Sequence, residues 1–289
     1  RTFLLLHSVI SFFKKSGQNP GHRWCALLLL FVGILTNPFI PSVFSAPQQQ
    51  VDQSRLLTLK IAALKRELRL PDLPQKPTTL HLTLLKQYEA DNFQSLVVTA
   101  DRGDLGEKDA YTALIQGNSL VILGEREEAV AAFQRAFQDS VVPLEKSAAM
   151  ANFGLVLSMS ERWREAVHWL EKALEVDRAA DNWPGQGMAL SQLGAFYFKL
   201  GDTEKGAAAH IEALEISETI PIPWLQARQL SQLASLYHRD QSNALAWDYY
   251  EKAIELYRNL DDSLSEAGAL TALSFVYKDL GQVEKALTL

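Results

Sequence analysis

The sequence predicts an all-α fold, a right-handed α-solenoid of antiparallel helix pairs, and three observations predict it. Beyond Thr79 apolar residues recur at helical spacing in pieces of about 12 to 16 residues, and no long alternating run suggests a strand. Small and aromatic positions return 40 residues apart: Leu193, Leu233 and Leu273; Tyr197, Tyr237 and Tyr277; Ala173, Ala213 and Ala253; and Ala166, Gly206, Ala246 and Ala286. An amphipathic helix constrains spacing over a few turns only, so independent columns sharing one period mark a repeating unit. At 289 residues, with 47% apolar and 21% charged side chains, the chain is ordinary folding material at the length where a single core stops growing, roughly 250 to 300 residues.

The first 45 residues carry Arg1, Lys14, Lys15 and Arg23 and no acidic residue, and "WCALLLLFVGIL" (24–35) follows the last of these. A basic flank, an apolar run and small residues at Val43 and Ser45 read as a signal peptide cut before Ala46. The competing reading is an uncleaved membrane anchor over 24–44, interrupted by Asn37, Pro38 and Pro41. The expected location is therefore exported, in the periplasm or cell envelope, with membrane contact only through this segment if it stays. The single cysteine, Cys25, lies within it, so export would neither add a disulfide nor endanger a thiol in the mature chain. All 34 acidic residues lie beyond residue 45. That balance argues against nucleic acid as a partner.

Residues 46–78 are read as a short helix and a Pro-rich linker. "RLLTLKIAALKREL" has helical spacing, and Pro71, Pro74 and Pro77 then prevent a continuous helix. Residues 79–289 are read as the solenoid, degenerate over 79–108 and with a truncated last repeat, the chain being a piece of a longer product.

Within the solenoid each unit is two helices and a tight turn, as in "LGAFYFKLGDTEKGA" (193–207). Gly201 suits a left-handed C-terminal cap, Asp202 an N-cap, and Glu204 the N-terminal dipole; Gly124 and Gly281 repeat the turn. Gly154, Gly194, Ala234 and Ser274 on the first helix, and Ala166, Gly206, Ala246 and Ala286 on the second, form the small walls that antiparallel helices need to approach closely. Tyr197, Tyr237 and Tyr277 are expected to fill the space between neighbouring pairs.

These residues carry a resemblance. Leu193-Gly194, Tyr197, Gly201, Gly206 and Ala213, then Leu233-Ala234, Tyr237, Ala246, Tyr250 and Ala253, together with "VILGEREEAVAAFQRAF" (121–137) and "ANFGLVLSMSERWREAVHWLEKAL" (151–174), resemble the tetratricopeptide repeat. The departures are Gln241 for the turn glycine, His210 for a bulky apolar residue, and a period of 40 where the family usually has about 34. "ETIPIPW" and "DNWPGQ" are the places where the additional residues would lengthen helices or loops. The style of the repeats is similar to the N-terminal parts of bacterial CHAT-domain proteins, in which a caspase-like unit follows.

Catalytic chemistry is not expected within these residues. His81, His168, His210 and His238 have no metal-site spacing, the glycines sit singly at helix ends, and acid pairs such as Glu127-Glu128 suit helix starts. The chain is read as no enzyme, with no cofactor and no metal. The resemblance implies instead a groove lined by the first helices, where Asn152, Gln192 and Gln232 would pair with the backbone of an extended peptide. It also places Phe198, His238, Lys199, Arg239, Lys278 and Arg228 there, a basic strip favouring an acidic peptide or protein. Lys199, Arg239 and Lys278 equally suit the C-terminal ends of helices. The leading expectation is an exported protein-interaction scaffold, and the alternative is the regulatory region of a larger CHAT protease. Trp163, Trp169, Trp183 and Trp224 keep open a subunit of an envelope complex, the last two read as lying in loops.

Overall fold

A computed structural model describes residues 53–102 and 109–289. The signal segment, Cys25 and the start of the linker lie outside the described residues. Among the described residues there is no strand. Helix α1 (Gln53–Glu67) precedes six antiparallel pairs: α2 (Thr79–Glu89) with α3 (Phe93–Asp101), α4 (Ala110–Leu123) with α5 (Arg126–Asp139), α6 (Pro143–Met159) with α7 (Trp163–Ala179), α8 (Trp183–Lys199) with α9 (Thr203–Thr219), α10 (Pro223–Arg239) with α11 (Asn243–Asn259), and α12 (Ser263–Asp279) with α13 (Val283–Thr288). Each helix packs on its partner and on the next pair, which makes the array an α-solenoid.

The turns explain why the helices stop where they do. A left-handed residue follows the C-cap of α2, α6, α7, α8, α10, α11 and α12, and it is glycine at Gly201 (φ 84°) and Gly281 (φ 74°) but Asp91 (56°), Glu161 (59°), Asp181 (51°), Gln241 (61°) and Asp261 (53°) in the others. The bend lets the next N–H reach back to the last turn, as Asp202 to Tyr197 O (2.9 Å), Ser242 to Tyr237 O (2.8 Å) and Gln282 to Tyr277 O (2.9 Å). Gln241 therefore does the work of the glycine it replaces, at a backbone cost. Asp202 and Asp262 then cap the following helices, accepting from Lys205 N and Ser265 N.

Of "DNWPGQ" and "ETIPIPW" only Asp181–Asn182 and Ile220–Ile222 lie in turns and the rest are helical, with Pro184 and Pro223 in first turns, where a missing N–H costs nothing. Trp183 opens α8 and Trp224 is the second residue of α10, so neither lies in a loop. The helices from α6 to α12 are each 17 residues long.

The small walls meet as expected. A Cβ on Gly154 would stand 3.0 Å from Ala166 O, one on Gly194 2.7 Å from the His210 ring, and one on Gly206 2.5 Å from the Phe198 ring. Ala166, Ala173, Ala213, Ala246 and Ala253 are completely buried. Two of the recurrent tyrosines bridge neighbouring pairs, Tyr197 donating to Glu171 of α7 (2.6 Å) and Tyr277 accepting from Trp247 of α11 (2.7 Å).

Candidate peptide groove

The segment read as a linker crosses the face made by the first helices. α1 ends at Glu67, and Leu68 to Pro74 is non-helical because Pro71 and Pro74 lack N–H groups and Pro71 biases Leu70 away from the helical region. Leu68 and Arg69 are nonetheless buried, at 4% and 7% exposure. A non-helical stretch without its own hydrogen bonds must find partners when it loses water. It finds them on α4, α6, α7 and α8, while α10 meets Glu67 at the end of α1.

Asn152, completely buried on α6, uses both ends of its amide on one residue: Oδ1 accepts from Arg69 N (2.8 Å) and Nδ2 donates to Arg69 O (2.8 Å). Asn118 of α4 donates to the same carbonyl (3.2 Å), and Asn152 Nδ2 also reaches Asn118 Oδ1 (2.7 Å). On α8 Gln192 donates to Glu67 O (3.2 Å) and to the Glu67 carboxylate (3.3 Å), while its own Oε1 is buried without a partner. Arg228 of α10 forms an ion pair with the Glu67 carboxylate, and Arg66 pairs with Asp262 at the start of α12.

The side chain of Arg69 enters a polar pocket. Its guanidinium donates to Asp177 Oδ2 (2.5 Å), Ser147 Oγ (3.0 Å) and Gly185 O (2.6 Å). Asp177, fully buried on α7, also accepts from Ser147 Oγ (2.5 Å) and Asn182 Nδ2 (2.8 Å). Burial pulls the Arg69 pKa below its ordinary value and the neighbouring Asp177 carboxylate opposes this. Beside the segment a cavity of about 860 Å³ opens between residues 66–75, the first turns of α6 and α8, and Trp224.

Of the residues expected to line the groove, Asn152, Gln192 and Arg228 come together on residues 67–69. Gln232 is half-buried and bonds to nothing in the segment. Phe198 turns toward α9, stacking on His210 (5.5 Å between centroids) against Gly206. Lys199, Arg239 and Lys278 are exposed at the C-terminal ends of their helices; Lys199 lies over Trp163 (5.9 Å) and Arg239 over Phe198 (5.5 Å). His238 bonds Asp279 (2.8 Å). None of these five touches residues 66–70.

The sequence reading missed Asn118, Ser147 and Asp177, and the two ligands in the segment itself, Glu67 and Arg69. One signal was present: Asp177, Ser217 and Tyr257 occupy one column, all three buried, and a carboxylate in a column of core positions demands a charged partner. Among the described residues no group of three or more His, Cys, Asp or Glu side chains is placed to share a metal ion, and no helix is long and apolar enough to cross a membrane.

The fold and its turns define an α-solenoid of antiparallel helix pairs. Residues 147–179 match the tetratricopeptide repeat family model. No curated protein matches the chain. Among solved structures it is similar to BtubC from P. vanneervenii (16% identity, TM-score 0.55, over 80% of this chain and 87% of that one). It is also similar to the apo form of RapI (14%, 0.63, 72% and 81%) and to a Rap protein complexed with competence and sporulation factor (12%, 0.61, 81% and 74%).

Proposed function

We propose that the chain is a scaffold that holds an extended peptide, or an extended stretch of another protein, against the inner faces of α4, α6, α8 and α10. The observation that carries this reading is the Asn152 amide, which meets both the N–H and the C=O of one backbone unit. An amide so placed recognises main chain, whatever the side chain above it, and an extended segment is the form of polypeptide that offers both groups outward. Arg228 supplies the cation for an acidic residue in the bound segment, which supports an acidic element in the partner. The Rap protein complexed with competence and sporulation factor is an instance of this fold with a partner bound.

A peptide library selected against the full chain tests the reading. In a chain whose own segment is weakened by Glu67→Ala and Arg69→Ala, so that it no longer competes on equal terms, enriched peptides should bind about tenfold or more weakly once Asn152→Ala and Gln192→Ala are combined, each lost backbone contact being worth about 1 kcal/mol or more. A selection that enriches nothing, or peptides indifferent to both substitutions, would refute it.

A further inference from the structure

The segment in the groove belongs to the chain itself, and its fit is incomplete in one respect. Asn152 spends both amide atoms on Arg69, whereas Gln192 spends only Nε2, leaving a buried Oε1 unpaired. The cause is local. α1 is still helical at Glu67, so the Glu67 N–H is used inside α1, and the Leu68 N–H is used on Leu64 O (3.1 Å). A ligand extended throughout would offer a free N–H to Gln192. Unpaired buried polar atoms cost free energy, so the chain's own segment is a weaker occupant than a fully extended peptide with the same side chains.

Those side chains define what such a peptide must carry. Glu67 meets Arg228, and Arg69 meets Asp177, Ser147 and Gly185 O. Residues two apart on an extended chain point to the same side, so one face can serve both pockets. The second pocket is built for arginine over lysine: a guanidinium reaches a carboxylate, a hydroxyl and a carbonyl from one planar fork, and an ammonium is a point charge.

Resting on the reading above, we propose that Glu67–Arg69 is an internal pseudo-ligand, and that the partner is an extended peptide with an acidic residue two positions before an arginine, which displaces it from Arg228, Gln192, Asn152 and Asp177. The groove is then closed in the free chain. Opening it is a competition between two segments of the same chemistry, and the effective affinity for the partner is the intrinsic affinity reduced by the fraction of molecules with the segment out.

The experiment measures anisotropy of a labelled peptide copying residues 64–75 (LKRELRLPDLPQ) on the full chain and on its Glu67→Ala/Arg69→Ala variant. The variant should bind about tenfold or more tightly than the unaltered chain, and peptides with the arginine changed to lysine or the glutamate to glutamine should lose about tenfold. Because that variant leaves Asp177 without its cation, a second measurement uses the unaltered chain: adding the peptide should speed hydrogen exchange at the Arg69 amide, which Asn152 otherwise holds. Equal affinity for both proteins with no change in exchange overturns the pseudo-ligand and leaves the groove reading standing. Equal binding of the lysine and arginine peptides overturns the motif. No binding to either folded protein overturns both the motif and the groove reading.

Discussion

Replacing Arg69 by alanine takes one partner from a buried ion pair and leaves the other where it is. Asp177 is fully buried on α7, which is packed on both sides by α6 and α8, so its carboxylate cannot follow the lost charge into water. Stripping one member of such a pair costs about 3–5 kcal/mol. Two neutral donors stay with Asp177, Ser147 Oγ and Asn182 Nδ2. These bring the expected loss below that range, to about 2–3 kcal/mol. Asp177→Ala should cost less, about 1–2 kcal/mol, because Arg69 lies on a non-helical segment that can swing out and take its charge to solvent. Arg69→Met with Asp177→Leu should recover most of the loss, since the pair is then replaced by apolar groups of similar size. Urea unfolding followed together by far-UV circular dichroism and tryptophan fluorescence measures this, the two probes being needed because repeat arrays can unfold in parts. A loss below about 0.5 kcal/mol for Arg69→Ala, or a larger cost for Asp177→Ala, would refute the reasoning.

Two further outcomes follow from other positions. His210 is completely buried, its Nδ1 on Gln229 Oε1 (2.6 Å), and burial holds its pKa below the ordinary 6.5, with the Gln229 hydrogen bond opposing in part. Below pH 6.5 the unfolded chain therefore takes up a proton that the folded chain resists. Stability is full above that pH and falls as pH drops toward the depressed folded value, by at most about 1.4 kcal/mol per pH unit. Urea midpoints of the parent chain and of His210→Leu should diverge in slope only below that point, and identical slopes would count against a buried neutral imidazole. Gln241→Gly removes a side chain from a left-handed residue (φ 61°), where the strain is about 1 kcal/mol or more, while glycine adds entropy to the unfolded chain worth about 0.5–1 kcal/mol. A net gain of about 0.5 kcal/mol is expected in the same unfolding assay, and a loss would show that Gln241 contributes more than its backbone conformation.

The chain's own pattern determined the helices, their pairing and their turns. Those features depend on residues a few positions apart, so Gly201, Asp202, Gly194 and Ala213 announce them directly. Even the departures were readable as departures: Gln241 holds the turn conformation, and the His210 ring fills the space that Gly194 leaves. The resemblance pointed to Asn152, Gln192 and Arg228, which converge on one segment, and also to Lys199, Arg239, Lys278, His238 and Phe198, which do not reach it.

Only the tertiary structure decided what occupies the groove. Arg69 meets Asn152 across 83 positions, Asp177 across 108 and Gly185 across 116, and Glu67 meets Arg228 across 161. No local periodicity encodes such pairings, and a proline-bounded stretch without helical spacing looks like a spacer until its donors and acceptors are counted. The physical reason is that a buried backbone unit and a buried charge must each be met by a partner, and in a solenoid those partners come from several repeats at once. The identity of the repeats is written locally, but the curvature that gathers Asn118, Asn152, Gln192 and Arg228 around three residues of α1 and its tail exists only when the pairs are stacked.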